Sequence, residues 1–262
     1  MDEKLIENVI KRVRSEINCE NKPGPMPCHR DIGVTEFVGT AKGNSIGLVI
    51  ASADPVLVEK MNLGKYRSIG IIGGRNGSGP QGMAVDDAVK ATNAEVISFQ
   101  ACTDDCSGPG QGSLIVLGAD DVSDVRRAVE IALEGLNERY FGDIYANEVG
   151  FIEFQYTARA STCLEMAFGA KVGKAFGLLC CGPAAIGAVV SDVVLKAANV
   201  EALSYMSPAA GEGFTYSNEI AMTFTGDSGA VRQAMRAGIE VGKKLVSAMG
   251  SEVKSVGGVP YI

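Results

Sequence analysis

Four groups of residues in this chain have types and spacings that could do chemistry. Cys102 and Cys106 form a CxxxC pair, the start of a thiolate site that would need further ligands to hold a metal or an iron–sulfur cluster. Gly77, Gly79 and Gly82 make a GxGxxG, the glycine spacing that lets a backbone approach a pyrophosphate at a helix N-terminus. His29 is the sole histidine and sits among Pro23, Pro25 and Pro27, where nothing holds it for general-base work, so no Ser/His/Asp arrangement forms around it. The acidic pairs Asp86-Asp87, Asp104-Asp105 and Asp120-Asp121 lie at surface-like helical spacing and read as caps and solvated faces. Catalytic residues are therefore not expected, nor a cofactor. Cys102 and Cys106 read first as free thiols, so no metal site is expected beyond that speculative pair. A nucleotide-binding enzyme built on residues 77–82 stays as the alternative. Against it, Pro80 removes an amide donor from the cradle, and the corresponding stretch Gly182-Pro183-Ala184-Ala185-Ile186-Gly187 lacks the pattern.

The elements that would position these residues come twice. Residues 86–134 lie on 192–240 without a gap at a shift of 106. Eleven of those 49 positions are identical, among them Asp86/Asp192, Lys90/Lys196, Asn93/Asn199, Ser98/Ser204, Asp121/Asp227 and Arg126/Arg232, where composition alone would give about four. Upstream, Glu36-Phe37 and Thr40-Ala41-Lys42 match Glu153-Phe154 and Thr157-Ala158-Arg159 at a shift of 117, which implies extra residues in the first half. So long a period means duplicated domains rather than a solenoid. Each copy is expected to run strand (36–41, 151–157), helix (55–61, 161–168), strand (68–72, 176–180), helix (82–92, 186–198), two strands (95–100 and 113–118, 201–206 and 219–225), then helix (123–136, 229–248). Asp121 and Asp227 are placed to cap the last helix through their side-chain oxygens. This is an α+β pattern, a mostly antiparallel sheet with helices packed on it. Residues 2–18 carry Leu5, Ile6, Val9, Ile10, Val13 and Ile17 at helical spacing, followed by the Pro-rich linker. The division is 1–35 for helix and linker, 36–147 for the first domain and 148–262 for the second.

Composition narrows the classes. Lys plus Arg is 24 and Asp plus Glu is 31, a net charge of −7 that argues against a nucleic-acid binder. The charged N-terminus has no apolar core of a signal peptide, and the uncharged run 175–191 is short and broken by Gly182-Pro183. A cytoplasmic protein with no membrane partner is expected. Seven Cys, an odd number, fit reduced thiols. Glycine is abundant, 33 of 262, and much of it falls in residues 73–82 and in two inter-strand loops of equal length, 101–112 and 207–218. Twelve-residue loops in a compact domain are usually functional, and glycine offers backbone polar groups without bulk, as the wall of a narrow polar opening requires.

Residues 195–205 (LKAANVEALSY) and 225–238 (TGDSGAVRQAMRAG), with VKATNAEVISF and GADDVSDVRRAV in the first copy, resemble the bacterial microcompartment shell domain. TEFVGTAKGNSIGLVIASAD, KYRSIGIIGG and YTARAS extend the likeness to tandem-domain shell proteins of the PduB/EtuB type, over about 34–262. The resemblance implies two tandem, circularly permuted shell domains. A homotrimer would then make a flat pseudohexamer that tiles against neighbouring shell proteins of a microcompartment facet. Ser107, Gly108, Pro109, Gly110, Pro208, Ala209, Ala210, Gly211, Glu212 and Gly213 would line the pore for a small alcohol or polyol. Lys90 and Lys196 match the family's edge lysine, and Lys42 and Arg159 a further basic edge residue. The N-terminal tail would tether enclosed enzymes.

Overall fold

The computed structural model describes residues 33–74, 78–102, 112–208 and 218–262; the expected helix at 2–18 lies outside them. Thr35–Ile262 make one compact unit. The first copy contains β1 (Phe37–Ala41), β2 (Ser45–Ile50), α1 (Pro55–Lys60), β3 (Ser68–Gly74), α2 (Gly79–Ala91), β4 (Glu95–Cys102), β5 (Gly112–Ala119) and α3 (Val122–Glu138). The second contains β6 (Ile144–Ala146), β7 (Phe151–Thr157), α4 (Thr162–Phe168), β8 (Ala175–Gly182), α5 (Ala184–Ala197), β9 (Val200–Met206), β10 (Ile220–Gly226), α6 (Ser228–Ser247) and β11 (Lys254–Ser255). The sheet orders are β1-β2-β3-β5-β4 and β11-β6-β7-β8-β10-β9, with antiparallel pairing throughout.

Strand register proves the duplication row by row. Leu48 pairs with Ile71, Ile71 with Val116 and Val116 with Ser98. In the second sheet Gln155 pairs with Leu178, Leu178 with Thr223 and Thr223 with Ser204. Three of the four positions are 107 residues apart and the last is 106. Local bonds repeat likewise: Ala53 N donates to Arg67 O and Ala160 N to Lys174 O, both at 2.8 Å. Asn62 and Gly169, the equivalents that end α1 and α4, are both left-handed (φ 52° and 69°).

This register corrects the expected match at a shift of 117. β7, which carries Glu153-Phe154, is equivalent to β2, and β1 is equivalent to β6. No extra residues are needed in the first half. β2, β6 and β11 were not expected as strands. β2 returns from β1 through a tight turn at Lys42-Gly43-Asn44, where Gly43 and Asn44 both have positive φ (72° and 49°). The C-terminus closes the second sheet: Val256 N donates to Ile144 O, Gly257 N to Phe141 O, and Asp143 Oδ2 accepts from the amides of Tyr261 and Ile262.

The two cores fill the same space with opposite partners. In the first, glycines lie on the sheet: a Cβ on Gly47 would fall 2.5 Å from Val129 of α3. The equivalent of Gly47 is Phe154, and there the helix gives way. A Cβ on Gly238 of α6 would fall 3.0 Å from the Phe154 ring. Bulk has moved from helix to sheet, with close packing kept in both. Asp121 and Asp227 occupy the N-cap positions of α3 and α6, but neither side chain makes a capping bond, contrary to expectation.

Candidate functional site

The two glycine-rich loops leave the fold at equivalent places. Each leads from the edge strand of its sheet into the neighbouring strand, between Cys102 and Gly112 at one end of the β4–β5 ladder and beyond Met206 and Ala221 in β9–β10. Pro208 is exposed just past β9. Ser107, Gly108, Pro109, Gly110, Ala209, Ala210, Gly211, Glu212 and Gly213 lie outside the described residues, as does Cys106. Cys102 ends β4, and among the described residues no group of His, Cys, Asp and Glu is arranged to hold a metal.

Of the GxGxxG glycines, Gly79 and Gly82 serve packing, and Gly77 lies outside the described residues. Gly79 and Gly82 are buried in the first turn of α2. A Cβ on Gly79 would sit 2.1 Å from Glu153 Oε1, and one on Gly82 would sit 3.0 Å from the Phe168 ring. A carboxylate of the second copy thus stands where a phosphate would need to approach, which is repulsive for an anion.

That contact belongs to a junction between the copies. Phe168 of α4 meets Phe99 of β4 edge-on at 5.6 Å between ring centres and stacks on Phe176 at 6.2 Å. Cys163 points its Sγ at Gly82 O, 3.6 Å away. At the centre is Asp86, whose side chain is fully buried. Its Oδ1 accepts from Ser161 N at 2.7 Å and its Oδ2 from Lys90 Nζ. The expectation of a solvated Asp86 is corrected: its covering residues come from the other copy, which local spacing does not show. Asp87 alongside accepts from Arg139 Nη1 at 2.8 Å and from Tyr140 Oη.

Glu153, whose carboxyl lies against Gly79, pairs across the β7–β8 ladder with Cys180, and Cys181 follows it in the core of the second copy. Burial pushes the Glu153 carboxyl up to about 7; Glu219 adds to this, and a hydrogen bond from Gln155 opposes it. Burial, then Glu219 and Glu153, raise the Cys180 thiol, and burial followed by Glu153 and Glu219 raises Cys181. Burial also raises Cys163. These three free thiols are therefore held protonated and are poor nucleophiles.

The four basic residues expected at an edge occupy different settings. Lys90 reaches Thr157 Oγ1 at 3.0 Å as well as Asp86, so it is spent at the junction. Its equivalent Lys196 pairs with Asp192 at 2.7 Å, and both side chains are largely exposed (74% and 58%). Lys42 donates to Gly257 O at 2.9 Å. Arg159 follows β7, and its amide turns back to Thr157 Oγ1. Lys42 follows β1, so Lys42 and Arg159 are not equivalents, which corrects their expected matching.

The comparisons agree with this architecture. The BMC domain family matches residues 175–254. A protein named bacterial microcompartment shell protein PduB from Salmonella typhimurium is 49% identical over 260 residues, covering 97% of this chain and 95% of its own. One of the same name from Limosilactobacillus reuteri is 48% identical over 221 residues, covering 84% and 92%. A crystal structure of a trimeric bacterial microcompartment shell protein PduB superposes with a TM-score of 0.80 at 46% identity, over 87% of this chain and all of the other. The crystal structure of EtuB from Clostridium kluyveri gives 0.80 and 46%, over 87% and 99%. The fold is α+β, two tandem circularly permuted BMC domains, and the chain belongs to the PduB-type bacterial microcompartment shell proteins.

Proposed function

We propose that three copies of this chain close into a pseudohexameric tile of a bacterial microcompartment shell, and that the chain has no catalysis of its own. The observation that carries this is the register: equivalent rows of two sheets give two near-identical units in one chain, so a threefold axis generates six. The trimeric relative supports it. The copies divide between α3 and β6, a few residues ahead of the 147/148 division expected from the sequence, so that β6 opens the second copy. The loops holding 107–110 and 208–213 surround the axis and pass small polar molecules, an alcohol or polyol. Their glycine content supports this, since it leaves backbone groups to face the solute. Lys196, exposed at the end of α5, meets neighbouring tiles, and residues 1–35 tether enclosed enzymes. Sedimentation of the purified full chain tests the assembly: a trimer is expected, and a monomer at all concentrations would overturn the reading.

A further inference from the structure

The last helices of the two copies differ in charge at equivalent positions. Where α3 carries Glu130, Asn137 and Glu138, α6 carries Arg236, Lys243 and Lys244, 106 residues on. Lys244 pairs with Glu240 at 2.7 Å. Arg236 and Lys243 make no ion pair among the described residues, and Lys243 lies over the Tyr145 ring, 4.7 Å from its centre. One turn before Arg236, the Arg232 guanidinium lies 5.0 Å from the Tyr156 ring centre, and its buried Nε has no hydrogen-bond partner among the described residues. Residues 232, 236 and 243 fall on one helical stripe, so a row of cations without ion pairs runs along α6 in a chain of net charge −7. Against this row lies a groove of about 390 Å³. Tyr145, Ile239 and Ile262 give it apolar lining, and Arg236, Lys243 and Lys244 bring cations to it, with Glu240. The wall at Ile262 is fixed in place: Asp143 Oδ2 accepts from the amides of Tyr261 and Ile262 at 2.8 and 3.0 Å, and the Tyr261 ring centre lies 4.9 Å from the Arg139 guanidinium and 5.8 Å from that of Arg232. Residues 256–262 have no charged side chain, so their side chains shape the groove without neutralising its cations. The first copy has no such groove lining: Ala41 stands at the place of Tyr145 and Glu130 at that of Arg236.

We infer that this groove is a binding site for a small organic anion, a carboxylate or phosphate head on a short apolar chain. The head meets Arg236 and Lys243, whose charges are not taken up by an acid of the chain, and the apolar chain lies on Tyr145, Ile239 and Ile262. A guanidinium presents parallel N–H donors that match the oxygens of either head. Covering the apolar lining adds hydrophobic stabilisation that a bare inorganic ion does not gain. Glu240 is tied to Lys244, so the groove keeps a net positive charge. A few polar groups around an apolar floor is the usual composition of a small-molecule site. The site is complete within one chain, so it stands apart from the trimeric reading.

The test is isothermal titration calorimetry of the full chain at fixed ionic strength in chloride, with butyrate, butyl phosphate, inorganic phosphate and 1-butanol as probes. Saturable binding is expected for butyrate or butyl phosphate, and the tighter of the two identifies the head. Inorganic phosphate and butanol each lack one half of the match and are expected to bind about tenfold or more weakly. Arg236→Glu, which installs the residue type of the first copy, is expected to abolish binding, and Lys243→Gln to weaken it about tenfold. Arg236 is exposed and in no ion pair, so the circular dichroism spectrum of Arg236→Glu is expected to stay that of wild type. Absence of saturable binding by both organic anions overturns the site. Butanol or inorganic phosphate binding as tightly as they do overturns it too, as does undiminished binding by a folded Arg236→Glu chain.

Discussion

Replacing Asp86 with alanine is the sharpest probe of the junction. The side chain is fully buried and holds together Ser161 N of the second copy and Lys90 of the first. Removing it leaves the Ser161 amide without its acceptor, a cost of about 1–3 kcal/mol. Breaking a buried ion pair costs about 3–5 kcal/mol, but Lys90 is 30% exposed and keeps Thr157 Oγ1, so only a fraction of that applies. Together these give about 3 kcal/mol. For a unit of this size each kcal/mol lowers the melting temperature by about 2–4 °C, so Asp86→Ala melts about 6–12 °C below wild type. Asp86→Asn retains an acceptor of the same size for Ser161 and loses about half as much. The assay is calorimetric melting at one fixed protein concentration, because assembly also shifts the midpoint. An Asp86→Ala protein that melts within 2 °C of wild type would refute the reasoning.

Two further outcomes follow from the packing and from the buried acid. Glu153 titrates near 7 in the folded chain because burial disfavours its charge, well above an ordinary carboxylate. Between about pH 4.5 and 7 the folded state keeps a proton that the unfolded state gives up, so stability falls as pH rises through that window and is level above it. Glu153→Gln flattens this slope and raises the melting temperature at pH 8, by melts from pH 5 to 8; an unchanged slope contradicts the assignment. Gly238→Ala places a Cβ 2.7 Å from Val194 Cγ2 and 3.0 Å from the Phe154 ring, and is expected to cost about 1–3 kcal/mol by denaturant titration, with no loss contradicting it.

The duplication was legible because paired positions kept their identity: Ser98 and Ser204 end the same row of their two sheets. The strand–helix order came from hydrophobic runs long enough to show a period. β6 and β11, three and two residues long, are too short to show one. β2 had a signal, apolar alternation behind Gly43-Asn44, which the short identities at a shift of 117 obscured. Those identities compare strand ends in two different sheet positions, and only register separates them. The burial of Asp86 is not legible in local spacing because Ser161, which covers it, is 75 residues away in the chain. The glycine spacing at 77–82 is a weak nucleotide signal: Gly79 and Gly82 answer to Glu153 and Phe168, two side chains of the other copy.

The central claim is that a two-domain chain assembles by threes. Mass photometry of the purified full chain measures this directly. The account predicts a dominant species of about 82 kDa, three times the 27.3 kDa chain, persisting on dilution. A single population at the mass of one chain would contradict it.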